Sequence, residues 1–290
     1  MTLYRRLLRV VLGSPPPEVP ASGTPTARIQ WPSGLEVDDL RPVRSGSSAS
    51  AINKAGRVAF RGMVAGRPVK VYEAANGRHA EFIRHVSGLS DRWPPVLGRF
   101  GHVVVAEWIT GEAFDEGQLD RLAALQASLH RTPVSTLPPP GFDYWTDYIR
   151  PRFLRAGSLL GVDAQEICEH GDEAWNAGPR VLMHPDLSPA NVVVTGRGEL
   201  KVIDNELLTT GSMPLVDVCN AARALPAAAV QTYVGMYRKA SATEFVTTRA
   251  LQSIWVAREV GASFIRGRVV QACELLRRYR AGDSILPFRS

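Results

Sequence analysis

Residues 181–206 read Val181-Leu182-Met183-His184-Pro185-Asp186-Leu187-Ser188-Pro189-Ala190-Asn191-Val192-Val193-Val194-Thr195-Gly196-Arg197-Gly198-Glu199-Leu200-Lys201-Val202-Ile203-Asp204-Asn205-Glu206. Two short runs of strand-forming residues, 192–194 and 200–203, flank the turn-rich Thr195-Gly196-Arg197-Gly198, which is the pattern of a β-hairpin. Centring the hairpin between Arg197 and Gly198 pairs Val194 with Lys201, Val193 with Val202 and Val192 with Ile203. Asn191 then stands opposite Asp204. Opposed residues of an antiparallel pair lie about 4.5–5.5 Å apart at Cα, so this register sets an amide oxygen beside a carboxylate, next to the loop that carries Asp186. Two hard oxygens at one point suit Mg²⁺, which takes only one or two protein oxygens and fills its shell with water and phosphate. A third carboxylate nearby can orient a hydroxyl and accept its proton.

The spacing His184-x-Asp186-x4-Asn191, followed by a hairpin and Asp204, resembles the catalytic and metal-binding loops of the protein-kinase-like superfamily. It is most similar to the aminoglycoside phosphotransferase and choline or sugar kinase branch, whose loops read His-Gly-Asp-Leu-x-Pro-x-Asn and Ile-Asp-x-Glu. The resemblance implies a catalytic base at Asp186, Mg²⁺ ligands at Asn191 and Asp204, and a loop-supporting role for His184. Asp217 resembles a further family Asp that braces the metal loop through backbone; an ordinary helix N-cap is the other reading. Asp204-Asn205-Glu206 replaces the Asp-Phe-Gly of protein kinases and no Ala-Pro-Glu follows, which points away from protein substrates. Pro185 stands where the branch has Gly, and Asn205 where it usually has an aromatic.

Residues 40–110 have the order that a nucleotide-holding lobe requires. Strand-like segments at 57–64, 68–72 and 102–109 surround a helical segment at 78–89 with Phe82, Ile83, Val86 and Leu89 on one side. Alternation puts Lys70 on one strand face with Pro68 and Tyr72, and Val69 with Val71 on the other. By resemblance, Lys70 pairs the nucleotide phosphates and Glu81 pairs Lys70; the plain alternatives are a solvent-facing lysine and a solvated helix charge. Ser45, Gly46, Ser47 and Ser48 offer small residues for a phosphate-covering loop, with Asn53-Lys54-Ala55-Gly56 as another candidate tip and a polar linker as the alternative. The backbone from Glu107 to Ile109 corresponds to the hinge that meets an adenine edge.

Beyond Gly111 the pattern turns helical, with Leu119, Leu122, Leu125 and Leu129 at helical spacing and a mainly helical stretch from 216 to 281 around a late helix at 248–266. The expectation is an α+β fold of two kinase-like lobes: a small antiparallel sheet with one helix, then a larger, mainly helical lobe. Three segments follow: an amphipathic helix and Pro-rich arm at 1–34, a nucleotide-binding lobe at 35–110, and a catalytic and acceptor-binding lobe at 111–290. Asp143, Tyr144, Trp145 and Asp147 are candidates for an acceptor pocket, against a reading of Tyr144, Trp145 and Trp255 as core aromatics.

The 290 residues carry a net charge of +6, and 45% of them are apolar. The charge is uneven: residues 1–110 hold 15 Lys/Arg against 8 Asp/Glu, residues 111–290 hold 19 against 20. A basic first lobe suits phosphate, and no Lys/Arg-rich run of the kind that tracks nucleic acid is present. The near-neutral second half gives no support to a polycationic acceptor in particular. The three scattered cysteines read as reduced, buried thiols of a cytoplasmic protein. Residues 1–12 read as an amphipathic helix that packs on the protein or lies on an anionic membrane surface. The expected activity is transfer of the γ-phosphoryl group of ATP or GTP, with Mg²⁺, to a hydroxyl of a small molecule. The alternative is a non-catalytic nucleotide-binding scaffold.

Overall fold

The computed structural model describes residues 27–30, 34–43, 59–241 and 248–288, which divide into two compact units between Thr110 and Gly111. In the first, six antiparallel strands run in the order β1 (Ala27–Gln30), β2 (Glu36–Pro42), β3 (Phe60–Val64), β4 (Arg67–Glu73), β6 (Val103–Glu107) and β5 (Val96–Phe100). Helix α1 (Gly77–Ser87) connects β4 to β5. The β3–β4 hairpin turns on Ala65 and Gly66, both at positive φ (47° and 77°), the two-residue geometry whose twist matches the strands. Alternation sorts the sheet as expected. Val69 and Val71 pack with Val37, Leu40, Phe60, Val103 and Val105 in one cluster, while the β4–β6 register sets Lys70 beside Ala106 and Tyr72 beside Val104 on the other face.

Helix α1 starts at Asn76, whose side chain accepts from the His79 backbone N–H at 2.9 Å. It buries His79, Ala80, Phe82, Ile83 and Val86 and packs against β5 and β6. Leu89, expected on that apolar side, lies past the helix end and is exposed. Two further differences concern strands. Ala27–Gln30 falls within the arm read as irregular, and β5 lies in a stretch without a strand pattern. Both gain their backbone partners from a neighbouring strand rather than from their own alternation.

In the second unit, β7 (Glu112–Ala113) joins β9 (Val192–Val194) and β10 (Leu200–Val202), and β8 (Val181–Met183) pairs with β11 (Thr209–Gly211). The helices are α2 (Leu119–His130), α3 (Arg150–Leu160), α4 (Gln165–Asn176), α5 (Pro214–Arg223), α6 (Ala227–Ser241), α7 (Arg249–Ile265) and α8 (Val269–Arg280). Helix α7 is the hub, packed by α3, α4, α5 and α8. Its buried set, including Leu251, Ile254, Trp255, Val256, Ala257, Val260 and Gly261, covers most of its circumference, as a helix surrounded on several sides requires. Gly111 enters this unit where a Cβ would lie 2.5 Å from the Val194 carbonyl oxygen, so the close approach of β7 to the hairpin depends on a missing side chain. Among the described residues no helix is long and apolar enough to cross a membrane. Residues 1–12, read as an amphipathic helix, lie outside the described residues.

Candidate active site

The Asp186 loop leaves β8 as a tight turn. The Leu187 N–H bonds the His184 carbonyl at 2.8 Å, which puts Pro185 and Asp186 at the two central positions. Proline with its fixed φ is favoured at the first of these, so Pro185 suits the turn that carries Asp186. The turn is tied at three points. The His184 N–H donates to Asp217 Oδ2 at 2.7 Å, the His184 Nε2 lies 3.1 Å from Asn205 Oδ1, and Asn191 Nδ2 donates to the Asp186 carbonyl at 2.7 Å. His184 is fully buried, in keeping with a supporting residue.

Asp217 lies inside α5, where Met213 and not Asp217 is the N-cap residue. The capping alternative therefore does not hold. Its buried carboxylate reaches back to the His184 N–H and also lies 3.3 Å from His130 Nε2. His130 in turn meets the Tyr237 hydroxyl at 2.6 Å through Nδ1. The chain Tyr237–His130–Asp217–His184 thus ties α6, α2 and α5 to the start of the Asp186 turn.

The hairpin register differs from the sequence expectation by one residue. Val192 pairs with Val202, Val193 with Lys201 and Val194 with Leu200. Thr195 N–H bonds the Glu199 carbonyl at 2.9 Å and Gly198 N–H the Thr195 carbonyl at 2.8 Å, with Gly198 at φ 77°. This is a three-residue loop closed by a left-handed glycine, so the symmetry point falls on Arg197 and not after it. Asn191 consequently stands opposite Ile203, whose N–H bonds the Asn191 carbonyl at 2.8 Å, and Asp204 follows one position later. A slip of one residue turns a side chain to the other face of a regular ladder. Asp204 is released from that rule because it leaves strand geometry, at φ 68° and ψ 50°. Left-handed backbone is strained for a side-chain-bearing residue, and such strain collects at functional positions.

The donor set suits a small hard cation. Asn191 commits its amide nitrogen to the Asp186 carbonyl, so it is the amide oxygen that could meet a cation, and Asp204 offers a carboxylate. Among the described residues no group of three or more His, Cys, Asp and Glu could hold a metal. One or two oxygens are what Mg²⁺ takes from a protein.

In the first unit, Lys70 Nζ lies 4.9 Å from the Tyr72 ring centroid. The expected Lys70–Glu81 pair gives way to another arrangement. Glu81 Oε2 accepts from Arg99 at 2.7 Å and from Arg84 Nε at 3.1 Å, and its other oxygen pairs with Arg84 Nη2. Arg84 sits one helical turn on, the spacing at which side chains meet. The hydrogen bond from Arg84, then that from Arg99, overcomes partial burial and holds the Glu81 carboxyl down to about 2. At the expected hinge the ladder uses the Glu107 N–H (to Pro95 O, 2.8 Å) and the Trp108 N–H (to Pro68 O, 2.9 Å). Among the described residues the Ile109 N–H has no backbone partner. Ser45, Gly46, Ser47 and Ser48, and the tip at 53–56, lie outside the described residues.

The aromatic segment folds as a π-helical turn, Tyr144–Ile149. Its acids serve the turn itself. Asp143 accepts from the Trp145 and Thr146 N–H groups, from Trp175 Nε1 at 2.9 Å and from Arg180 at 3.0 Å. Asp147 accepts from the Asp143 N–H at 2.8 Å. Trp145 and Trp255 are core, the plainer of their two readings. Tyr144 is buried too, and burial pushes its phenol up to about 12 against the pull of Arg258. Sequence reasoning missed Asn205 as a partner of His184 and Asp217 as a partner of His130. No motif marks them, because each acts from an element distant in sequence.

The class of protein is set by this fold and by the match to known proteins. A family model of the phosphotransferase enzyme family matches residues 60–251, and the chain belongs to that family. Its fold is protein-kinase-like. The solved structure of LicA in complex with AMP is 15% identical, with a TM-score of 0.55 over 84% of this chain and 93% of that one. The choline kinase LicA from Streptococcus pneumoniae is 13% identical, with a TM-score of 0.53 over 84% and 94%. A thermostable mutant of the aminoglycoside phosphotransferase APH(4)-Ia is 18% identical, with a TM-score of 0.53 over 84% and 94%. A search of curated protein sequences found no match.

Proposed function

We propose that this phosphotransferase moves the γ-phosphoryl group of ATP or GTP to a hydroxyl of a small molecule, with Asp186 as the base that orients the hydroxyl and takes its proton. The observation that carries the reading is the Asp186 turn, fixed at its start by Asp217, at its end by Asn191 and at its side by Asn205. A base fixed in this way costs little reorganisation when the hydroxyl arrives, and positioning is most of what phosphoryl transfer asks of a protein. Asn191 and Asp204 would hold Mg²⁺, which when bound supplies charge neutralisation to the phosphates. Lys70 would meet the phosphates as a point charge, and the Ile109 N–H with the Glu107 backbone would meet the base of the nucleotide. Glu81 does not enter this scheme, since its carboxylate serves Arg84 and Arg99. AMP in the LicA structure supports a nucleotide as one substrate.

Phosphoryl transfer balances simply. The acceptor oxygen forms a bond to the γ-phosphorus, the bond from that phosphorus to the β–γ bridging oxygen breaks, ADP or GDP leaves with the electron pair, and the hydroxyl proton passes to Asp186. The test is nucleotide turnover over a panel of hydroxylated acceptors, by wild-type and Asp186→Asn protein, with and without Mg²⁺. Acceptor-dependent ADP release that needs both Mg²⁺ and Asp186 is expected. Equal turnover by both proteins would remove the enzyme reading in favour of a nucleotide-binding scaffold.

A further inference from the structure

Helix α6 sends two tyrosine hydroxyls, one helical turn apart, onto two polar side chains of α2 that are also one turn apart. The Tyr233 hydroxyl donates to Gln126 Oε1, and the Tyr237 hydroxyl meets His130 Nδ1 at 2.6 Å. Both tyrosines and Gln126 are fully buried, and the His130 side chain is 6% exposed. The two rungs are alike in place and burial and differ in what lies behind them. Gln126 Nε2 has no hydrogen-bond partner among the described residues, so the first rung ends there. Behind the second, His130 Nε2 lies 3.3 Å from Asp217 Oδ2, the oxygen that accepts the His184 N–H at 2.7 Å where the Asp186 turn begins.

The protons of the second rung follow from its donors and acceptors. An ionised carboxylate only accepts, so Asp217 Oδ2 calls for a proton on His130 Nε2. A neutral imidazole with its proton on Nε2 carries a lone pair on Nδ1, and the phenol of Tyr237 supplies a donor to it. That phenol keeps its proton: burial raises its pKa and the Asp217 charge raises it further, against a hydrogen bond with Ser241 and the charge of Arg131. Which ring nitrogen holds the proton is set by the bond that the other nitrogen makes. Without the hydroxyl, Nδ1 is a buried acceptor with no donor. The ring then gains by moving its proton to Nδ1, which turns a lone pair towards Asp217. Among the described residues Asp217 Oδ1 has no hydrogen-bond partner, so the carboxylate depends on what its Oδ2 meets.

We propose that Tyr237 is a positioning residue for phosphoryl transfer: its hydroxyl holds His130 as the Nε2–H tautomer, which aims a proton at Asp217 and keeps that carboxylate on the His184 N–H. The assignment rests on the phosphotransferase reading and adds to it a residue of α6 that acts through His130 and Asp217.

Two variants of the full-length protein test it. Tyr237→Phe removes the hydroxyl on His130, and Tyr233→Phe removes an equally buried hydroxyl from the rung that does not reach Asp217. The tautomer is read from isotope-labelled histidine in a long-range proton–nitrogen correlation spectrum, with the His130 signals assigned by their loss in His130→Gln. Exchange of the His184 amide proton, the melting temperature, and kcat and KM for ATP with Mg²⁺ and the best acceptor of the hydroxylated panel complete the set. Wild-type His130 is expected to be neutral with its proton on Nε2. In Tyr237→Phe the proton should move to Nδ1, with His184 exchange faster and kcat lower by roughly three- to tenfold, the worth of one neutral hydrogen bond. KM for ATP should stay near the wild-type value. Tyr233→Phe should lose melting temperature as Tyr237→Phe does, yet keep the wild-type tautomer, His184 exchange and kcat.

An Nδ1–H or doubly protonated His130 in the wild-type protein overturns the assignment. So does a normal kcat in Tyr237→Phe, or an equal fall in both variants, which would make the tyrosines packing residues only. His184 exchange that ignores Tyr237→Phe overturns it whether or not any acceptor turns over. The expected tautomer and exchange, with no acceptor-dependent ADP release from wild-type protein, sink the phosphotransferase reading instead.

Discussion

Replacing Asp217 with alanine is the sharpest perturbation of the brace behind the Asp186 turn. The carboxylate is fully buried and accepts the His184 N–H at 2.7 Å, with His130 Nε2 at 3.3 Å from the same oxygen. Truncation leaves the His184 N–H in a dry interior with no acceptor, which costs about 1–3 kcal/mol. Loss of the link to His130 and the small void left behind bring the total to about 3 kcal/mol, near the low end for breaking a buried charged contact. At roughly 2–4 °C per kcal/mol for a unit of this size, the melting temperature should fall by about 6–12 °C. Asp217→Asn keeps an oxygen that can accept the N–H and should lose less than half as much. Thermal melts by circular dichroism measure both. If Asp217→Ala melts within about 2 °C of wild type, the hydrogen bond seen here carries no net stabilisation and the account of a braced turn is wrong.

Three further outcomes are expected. Asp186→Asn should cut acceptor-dependent turnover by about 10²-fold or more, the typical worth of a positioned base, with the melting temperature little changed; near-normal turnover would move the base elsewhere. Glu81, held to about 2 against an ordinary 4.5 by Arg84 and then Arg99, adds stability that is complete above pH 4.5 and is lost as pH falls towards 2. Because the pair is at the surface, Glu81→Gln should cost no more than about 1 kcal/mol at pH 7, and the gap in melting temperature should narrow between pH 5 and pH 3; a gap that widens on acidification contradicts the pairing. Gly171→Ala would drive a methyl group into the Trp145 ring, which is fully buried and fixed by its Nε1 bond to Asp172 at 2.7 Å. Overpacking of that kind costs about 1–3 kcal/mol, and an unchanged melt would show that the Trp145 ring moves aside freely.

Local pattern was enough for much of this molecule. The alternation Val69-Lys70-Val71-Tyr72 sorted the two faces of β4, because the strand period is two: Val69 and Val71 join the cluster with Phe60 and Val105, and Lys70 and Tyr72 lie on the other face beside Ala106 and Val104. The leucine spacing of α2 and the two apolar runs of the hairpin read correctly for the same reason. The short motif from His184 to Asn191 carried its own turn chemistry, with Pro185 at a position proline favours and Asn191 close enough to bond the Asp186 carbonyl. The hairpin register was out by one, because a glycine at positive φ adds a residue to the loop and composition alone does not tell a two-residue turn from a three-residue one.

What tertiary structure decided is everything that joins elements distant in the chain. Whether Asp217 capped a helix or braced a turn depended on where α5 lies against β8, and whether Glu81 met Lys70 or Arg99 depended on how β5 packs beside α1. Bringing Tyr237 and Asp217 onto the two ring nitrogens of His130 needed α6, α5 and α2 to converge. Periodicity and spacing act within one element, where neighbours are set by covalent geometry. Charge pairing acts across space, and only the packed chain says which charges become neighbours.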